Sequence, residues 1–196
     1  VVGLGTRLLA HLPVGAVINV QGPLGNGFPL PQGFKRHILV AGGIGVAPFP
    51  GLAEAILQNL ARTPEVVLAA RNDHMLLLAK EFSRMGCPVH IATDDGSAGM
   101  QGSASDALES LAPDSSTLVY CCGPTPMMRA VHEVCVRHDV LCYASLEAEM
   151  ACGDGVCMGC VVETNSEDEA RRMVRVCREG PVFDTRDINW NGGVRP

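Results

Sequence analysis

His37-Ile38-Leu39-Val40-Ala41-Gly42-Gly43-Ile44-Gly45-Val46-Ala47-Pro48 is the stretch on which the fold turns. Its opening residues are almost unbroken in apolar character, which predicts a strand buried on both faces, as strands of parallel sheets are. The glycines end that strand. Beyond them Leu52, Ile56, Leu57 and Leu60 share one face of a helix. Pro48 and Pro50 fit only the first turn of such a helix or the approach to it. Glycines between a strand and a helix let backbone amides approach a pyrophosphate, and the helix N-terminus favours its charge. The spacing is not the dinucleotide G-x-G-x-x-G, so on this ground alone a tight strand-to-helix turn explains it equally well.

Working outward, the alternation repeats. Residues 66–70, 88–93, 117–122 and 140–146 read as strands, and 75–85, 103–111 and 126–137 as helices. Regular β-α-β alternation predicts a parallel sheet with helices on both faces and ligands beyond the carboxyl ends of its strands. Two more loops fall at such ends. Cys121-Cys122-Gly123-Pro124-Thr125-Pro126-Met127-Met128 makes a ledge poor in side chains, suited to a flat nicotinamide ring, and Thr93-Asp94-Asp95-Gly96-Ser97 reads as a turn near the nucleotide. Upstream, residues 16–21 alternate as a strand, and the turn-rich Gly22-Pro23-Leu24-Gly25-Asn26-Gly27-Phe28-Pro29 reads as a domain junction.

Near the C-terminus Cys152, Cys157, Cys160 and Cys177 stand as C-x4-C-x2-C-x16-C, the ligand pattern of a plant-type [2Fe-2S] cluster. Gly153, Gly155 and Gly159 allow the loop to coil and amides to reach the sulfurs. Residues 161–164 and 173–176 read as a hairpin that returns Cys177 to the loop. A structural zinc site normally has two C-x2-C knuckles and only Cys157 and Cys160 have that spacing. A Rieske centre needs two histidines, and none lies between Cys152 and Cys177. A disulfide framework suits small secreted domains, and no secretory segment is visible. The cluster ranks first, zinc second and disulfides third.

The chain has 196 residues, 47% hydrophobic and only 4% aromatic, so its core rests on aliphatic side chains. A net charge of -6 without basic runs argues against nucleic acid. The apolar stretches are too short to cross a bilayer. Of nine cysteines, Cys87, Cys121, Cys122, Cys135 and Cys142 fall in apolar patterns as core filler. Free thiols beside an iron–sulfur site predict a reducing cytoplasm. His37, His90, His132 and His138 read as structural or solvated, and no general acid or base stands out. Arg71 alone does not separate NAD from NADP, and Trp190, the single tryptophan, is either a docking anchor or a packed end. Val1-Val2-Gly3 lacks an initiator methionine, and a further N-terminal portion is expected.

The three loops together resemble the pyridine-nucleotide half of the ferredoxin–NADP reductase superfamily. There a G-G-x-G-x-A-P loop takes the pyrophosphate and a C-G-P-x-x-M loop lies by the nicotinamide. Gly42, Gly43, Gly45, Ala47 and Pro48 match the first, and Cys122, Gly123, Pro124 and Met127 the second. Gly22–Phe28, Thr93–Ser97, Ser145-Leu146-Glu147, Met150-Ala151-Cys152-Gly153 and Val176–Phe183 sharpen the match. With them, residues 3–184 resemble the electron-transfer subunits of type B, NAD-dependent dihydroorotate dehydrogenases.

The resemblance implies the remnant of an FAD-binding β-barrel over 1–31, an NAD-binding domain over 32–146 and a [2Fe-2S] domain with its tail over 147–196. It implies Gly5 and Thr6 at the flavin phosphate, although the family's R-x-Y-S flavin segment has no counterpart here. Phe49-Pro50 and Gln101-Gly102-Ser103-Ala104 also depart from the family pattern. It implies that electrons from dihydroorotate, oxidised on the FMN of a partner catalytic subunit, pass through the cluster and FAD to NAD+. The assembly would be a heterotetramer with two copies of each subunit, serving pyrimidine biosynthesis. The nearest alternative is a sulfide- or ferredoxin-linked NAD(P)H oxidoreductase subunit or a hydrogenase gamma subunit. The transhydrogenase branch carries aspartate at the position of Cys152, which weighs against it. A zinc-stapled, non-catalytic adaptor is the reading from another class.

Overall fold

The computed structural model describes residues 3–192. After helix α1 (Leu4–Ala10), the alternating part runs β1 (Arg36–Gly42), α2 (Phe49–Leu60), β2 (Glu65–Ala70), α3 (Ala79–Arg84), β3 (Val89–Thr93), β4 (Met100–Gln101), α4 (Ala104–Ser110), β5 (Thr117–Cys122), α5 (Thr125–Arg137) and β6 (Leu141–Ser145). The C-terminal part holds β7 (Val161–Glu163), α6 (Glu169–Arg172), β8 (Met173–Arg175) and β9 (Val182–Asp184). One sheet has the order β4-β3-β2-β1-β5-β6-β9. All its pairings are parallel except β6 with β9.

The two-residue side-chain period of β1 explains the layers. Ile38 and Val40 face one core with Leu108 of α4 and Met128, Val131 and Cys135 of α5. Leu39 and Ala41 face the other with Phe49, Leu52 and Ile56 of α2 and Phe82 of α3. Both faces are covered, so the strand has no polar side. The former core continues into the C-terminal part through Cys160, Val162, Val176, Cys177 and Ile188.

Local chemistry sets the boundaries. Pro48 is the N-cap of α2 and Pro50 lies in its first turn, where the missing N–H is harmless. Ser103 caps α4 in a reciprocal box with Asp106. The expected helix over 75–85 is shorter. A 3-10 turn spans Asp73–Met75, the Asp73 N–H donates to Ser97 Oγ at 2.8 Å, and Leu78 takes φ +61 before α3 begins. Leu76 and Leu78 pack against the core, and burial of these two leucines outweighs helical continuity.

Residues 16–21 form no strand, since alternation yields one only where a neighbour accepts its ladder, and among the described residues none pairs with it. The hairpin of β7 and β8 matches expectation, with Val161 opposite Arg175. The tail from Thr185 lies within the description only to residue 192.

Candidate functional site

Two loops meet at the carboxyl edge of the sheet, between β1 and β5. A Cβ at Gly45 would lie 2.3 Å from the Cys122 carbonyl oxygen and 2.7 Å from Gly123 Cα. One at Gly123 would lie 3.0 Å from the backbone of Gly42. Gly42 itself sits under Met127 and Pro124. These three glycines therefore seat one loop on the other, backbone to backbone. Gly43 differs: φ is +54 and an added Cβ would meet nothing within 4 Å. It heads a 3-10 turn, Gly43–Val46, that leads through Ala47 and Pro48 into α2. The nucleotide residues expected from the sequence thus form one surface, with Gly43 as its open position.

Beside the second loop lies a cleft of about 660 Å³ with largely apolar walls, lined by Gly123, Pro124 and Pro126 of that loop together with Arg129, Glu147 and Trp190. Cys122 lies behind this ledge. Burial, then the nearby Glu147, push its thiol up to about 11, against a hydrogen bond with Ser145. It is a neutral thiol at pH 7 and offers no base. The 93–97 loop satisfies itself: Ser97 donates from N and Oγ to Asp95 Oδ1 at 2.9 and 2.6 Å. Those bonds hold the Asp95 carboxyl below its usual range. His90 pairs with Glu65 at 3.2 Å, His138 with Glu109, and His132 with Thr185 Oγ1 at 3.0 Å. Each has a structural partner.

The four cysteines of the spaced array come together as two pairs. The Cys157 N–H points at Cys152 Sγ at 3.5 Å, and the Cys177 N–H points at Cys160 Sγ at 3.5 Å. The Gly159 N–H adds a 3.3 Å contact to Cys157 Sγ. Gly153, Gly155 and the non-glycine Met158 all take positive φ, which turns successive amides inward. The Cys157 amide and thiol, then the amides of Asp154 and Val156, hold the Cys152 thiol down at about 6. Among the described residues no three His, Cys, Asp or Glu side chains converge on a single ion. Two thiol pairs, each with amide donors, suit a two-iron cluster.

Several supports of this loop escape a reading of the sequence. Arg175 Nη1 donates to the Gly155 carbonyl at 2.6 Å, and its guanidinium is braced by Glu179. That pairing holds the Glu179 carboxyl down at about 2. Asn26 Nδ2 donates to the carbonyls of Arg178 and Glu179 at 3.2 and 3.1 Å, just past the Cys177 position. Gln21 reaches Asp154. The expected junction at 22–29 is therefore also a clamp on the cysteine segment. Glu147 was legible only as part of a motif. Gly5 and Thr6 lie in the exposed helix α1, where Thr6 Oγ1 accepts from Gly3 N at 3.1 Å, and they are not among the cleft-lining residues.

A family model described as the iron-sulfur cluster binding domain of dihydroorotate dehydrogenase B matches residues 147–189. One described as an oxidoreductase NAD-binding domain matches residues 39–133. The dihydroorotate dehydrogenase B (NAD(+)) electron transfer subunit of Caldanaerobacter subterraneus subsp. tengcongensis is 36% identical over 186 residues, 95% of this chain and 72% of that protein. The chain belongs to this family. The electron transfer subunit of Bacillus caldolyticus is 40% identical over 189 residues, 95% of this chain and 70% of its own length. The solved structure of the NADH-dependent reduced ferredoxin-NADP oxidoreductase superposes with a TM-score of 0.82 at 30% identity, covering 97% of this chain and 67% of that one. In this electron transfer subunit the NAD-binding match falls on the mostly parallel sheet and the iron-sulfur match on the cysteine segment that follows it. Among the described residues no helix is long and apolar enough to cross a membrane.

Proposed function

We propose that this chain conducts electrons from dihydroorotate, oxidised on the FMN of a partner catalytic subunit, to NAD+ in pyrimidine biosynthesis. The net change is dihydroorotate + NAD+ → orotate + NADH + H+. Cys152, Cys157, Cys160 and Cys177 would hold a [2Fe-2S] cluster, their thiolates supplying its four protein ligands. Gly42, Gly43, Gly45, Ala47 and Pro48 would take the NAD pyrophosphate, and Cys122, Gly123, Pro124 and Met127 the nicotinamide. When bound, the cluster supplies single-electron relay and FAD the exchange between single and paired electrons. The chain's own residues place these groups, and no proton transfer in this segment is needed. Gly5 and Thr6 carry the flavin-phosphate assignment on the motif alone.

The domain limits 1–31, 32–146 and 147–196, the heterotetramer of two copies of each subunit and the cytoplasmic location belong to the same proposal. The observation that carries it is the pair of amide-lined thiol pairs within the segment that matches the dihydroorotate dehydrogenase B iron–sulfur domain.

The test is to co-express the full-length protein with a dihydroorotate-oxidising FMN subunit and follow NAD+ reduction at 340 nm. Turnover that requires dihydroorotate, with two irons per chain, is expected. Turnover driven by reduced ferredoxin or sulfide but not by dihydroorotate would move the chain to the other reductase branch. Colourless protein with one zinc per chain would return it to an adaptor.

A further inference from the structure

Trp190 lies outside every loop used so far, yet it lines the same 660 Å³ cleft as Gly123 and Pro124. It is not a loose end. Its Nε1–H donates to the Thr185 carbonyl at 2.9 Å, and one face stacks on His132 of α5 with centroids 5.7 Å apart. The segment that carries it is sewn to β7. Asn189 N donates to the Glu163 carbonyl at 3.0 Å, and Asn165 Nδ2 to the Ile188 carbonyl at 3.0 Å. With its N–H engaged and one face covered, the surface left for the cleft is ring carbon. Glu147 and Glu149 stand on the same rim. Two positive elements share the lining, Arg129, whose charge Glu133 offsets at 3.2 Å, and the N-terminus of α5, but a helix end carries only about half a positive charge, so the two carboxylates outweigh what remains.

We infer that Trp190 is a binding residue for the nicotinamide ring, forming with Glu147 and Glu149 a wall that prefers the cationic, oxidised ring to the neutral, reduced one. An indole is the side chain best suited to a flat cation, through stacking and cation–π attraction. The preference has a use in the proposed direction of flow, because NAD+ must enter the cleft and NADH, whose ring is uncharged, must leave it. Because β7 and the tail are joined, the wall stands on the same segment that bears the cysteines. The inference rests on the nucleotide reading of the Gly42 and Gly123 loops, and its test separates the two.

The test titrates the holoprotein calorimetrically with NAD+, with ADP-ribose, which lacks the ring, and with 1,4,5,6-tetrahydro-NAD, which carries a neutral, redox-inert ring. Wild type should bind NAD+ most tightly. Trp190→Ala should weaken NAD+ binding roughly three- to thirty-fold and leave ADP-ribose within about twofold, and Trp190→Phe should recover most of the loss. In wild type, NAD+ should quench the part of the indole emission that Trp190→Phe removes, a readout that does not require the alanine variant to fold. Equal weakening of NAD+ and ADP-ribose would overturn the inference by showing a structural role only. So would NAD+ binding without any change in that emission, or equal affinity for the charged and neutral rings. In each of those cases the nucleotide reading survives. A wild-type holoprotein that binds neither NAD+ nor ADP-ribose would overturn both.

Discussion

The glycine-packed edge of the sheet and the cysteine segment lie in one chain and share one core, yet different forces hold them. At the edge, strands β1 and β5 are buried on both faces, and two loops touch through backbone atoms with no room for a methyl group. In the cysteine segment Cys157 and Val156 are exposed, and the segment is pinned by a few hydrogen bonds, from Arg175 and Gln21 to the loop and from Asn26 to the Arg178 and Glu179 carbonyls. A buried apolar core is stable without a ligand. A short loop of thiols held by a few polar contacts gains much of its order when metal is bound, because binding free energy there is also folding free energy. The nucleotide half should therefore survive insults that undo the cysteine half.

Removing one thiol breaks this comparison most sharply. Cys157→Ser should strip the iron and its visible absorbance and lower dihydroorotate-dependent NAD+ reduction by more than about 100-fold. NAD+ binding and the thermal transition of the sheet should change little. If electron flow persists, the path through these cysteines is wrong. If the sheet unfolds with the cluster, the two halves are not held as differently as their contacts imply.

The edge can be divided further. Gly45→Ala forces a methyl group against the Cys122 carbonyl and Gly123. Relief requires moving backbone, so a loss of about 2–3 kcal/mol in a denaturant titration is expected, together with weaker NAD+ binding. Gly43→Ala meets open space, and only its φ of +54 resists, for about 1–2 kcal/mol. The comparison fails if Gly43→Ala proves the more destabilising. Cluster spectra should be unchanged in both.

These contrasts also explain what could be read in advance. The strands β1, β2 and β5 were visible because burial on both faces demands apolar runs, and β3 and β6, which are only partly buried, because they continue the strand–helix alternation. The cysteine array was visible because spacing encodes ligation. The pairing of thiols within it, and the clamp from Asn26 to Arg178 across 152 positions, were not. Such contacts depend on where the fold returns the chain, and neither partner carries a local pattern. Strands β4 and β9 are two and three residues long, too short for any period to register. Helix α3 is shorter than its pattern predicts because the pull of Leu76 and Leu78 into the core is tertiary. Residues 16–21 show the converse, a strand-like pattern without a neighbour.

The smallest effect lies at the opposite end of β1 and asks whether the sheet half has a weakness of its own. His37 is buried, its Nδ1 has no hydrogen-bond partner, and its ring stacks on Tyr120 at 6.1 Å. Burial, with the charge of Arg62 adding to it, lowers its pKa below the ordinary 6.5. The folded state thus resists a proton that the unfolded chain accepts. The stability this residue permits is complete above pH 6.5 and declines as pH falls through that value. The wild-type melting temperature should accordingly drop between pH 7.5 and 5.5. His37→Leu should change stability by less than about 1 kcal/mol at pH 7.5, because it removes an unpartnered polar atom along with the ring contact. The acid-side drop should be shallower in this variant. An unchanged slope would mean that the acid sensitivity arises elsewhere, with the cysteine segment as the place to look, and the sheet half would then be as robust as its packing suggests.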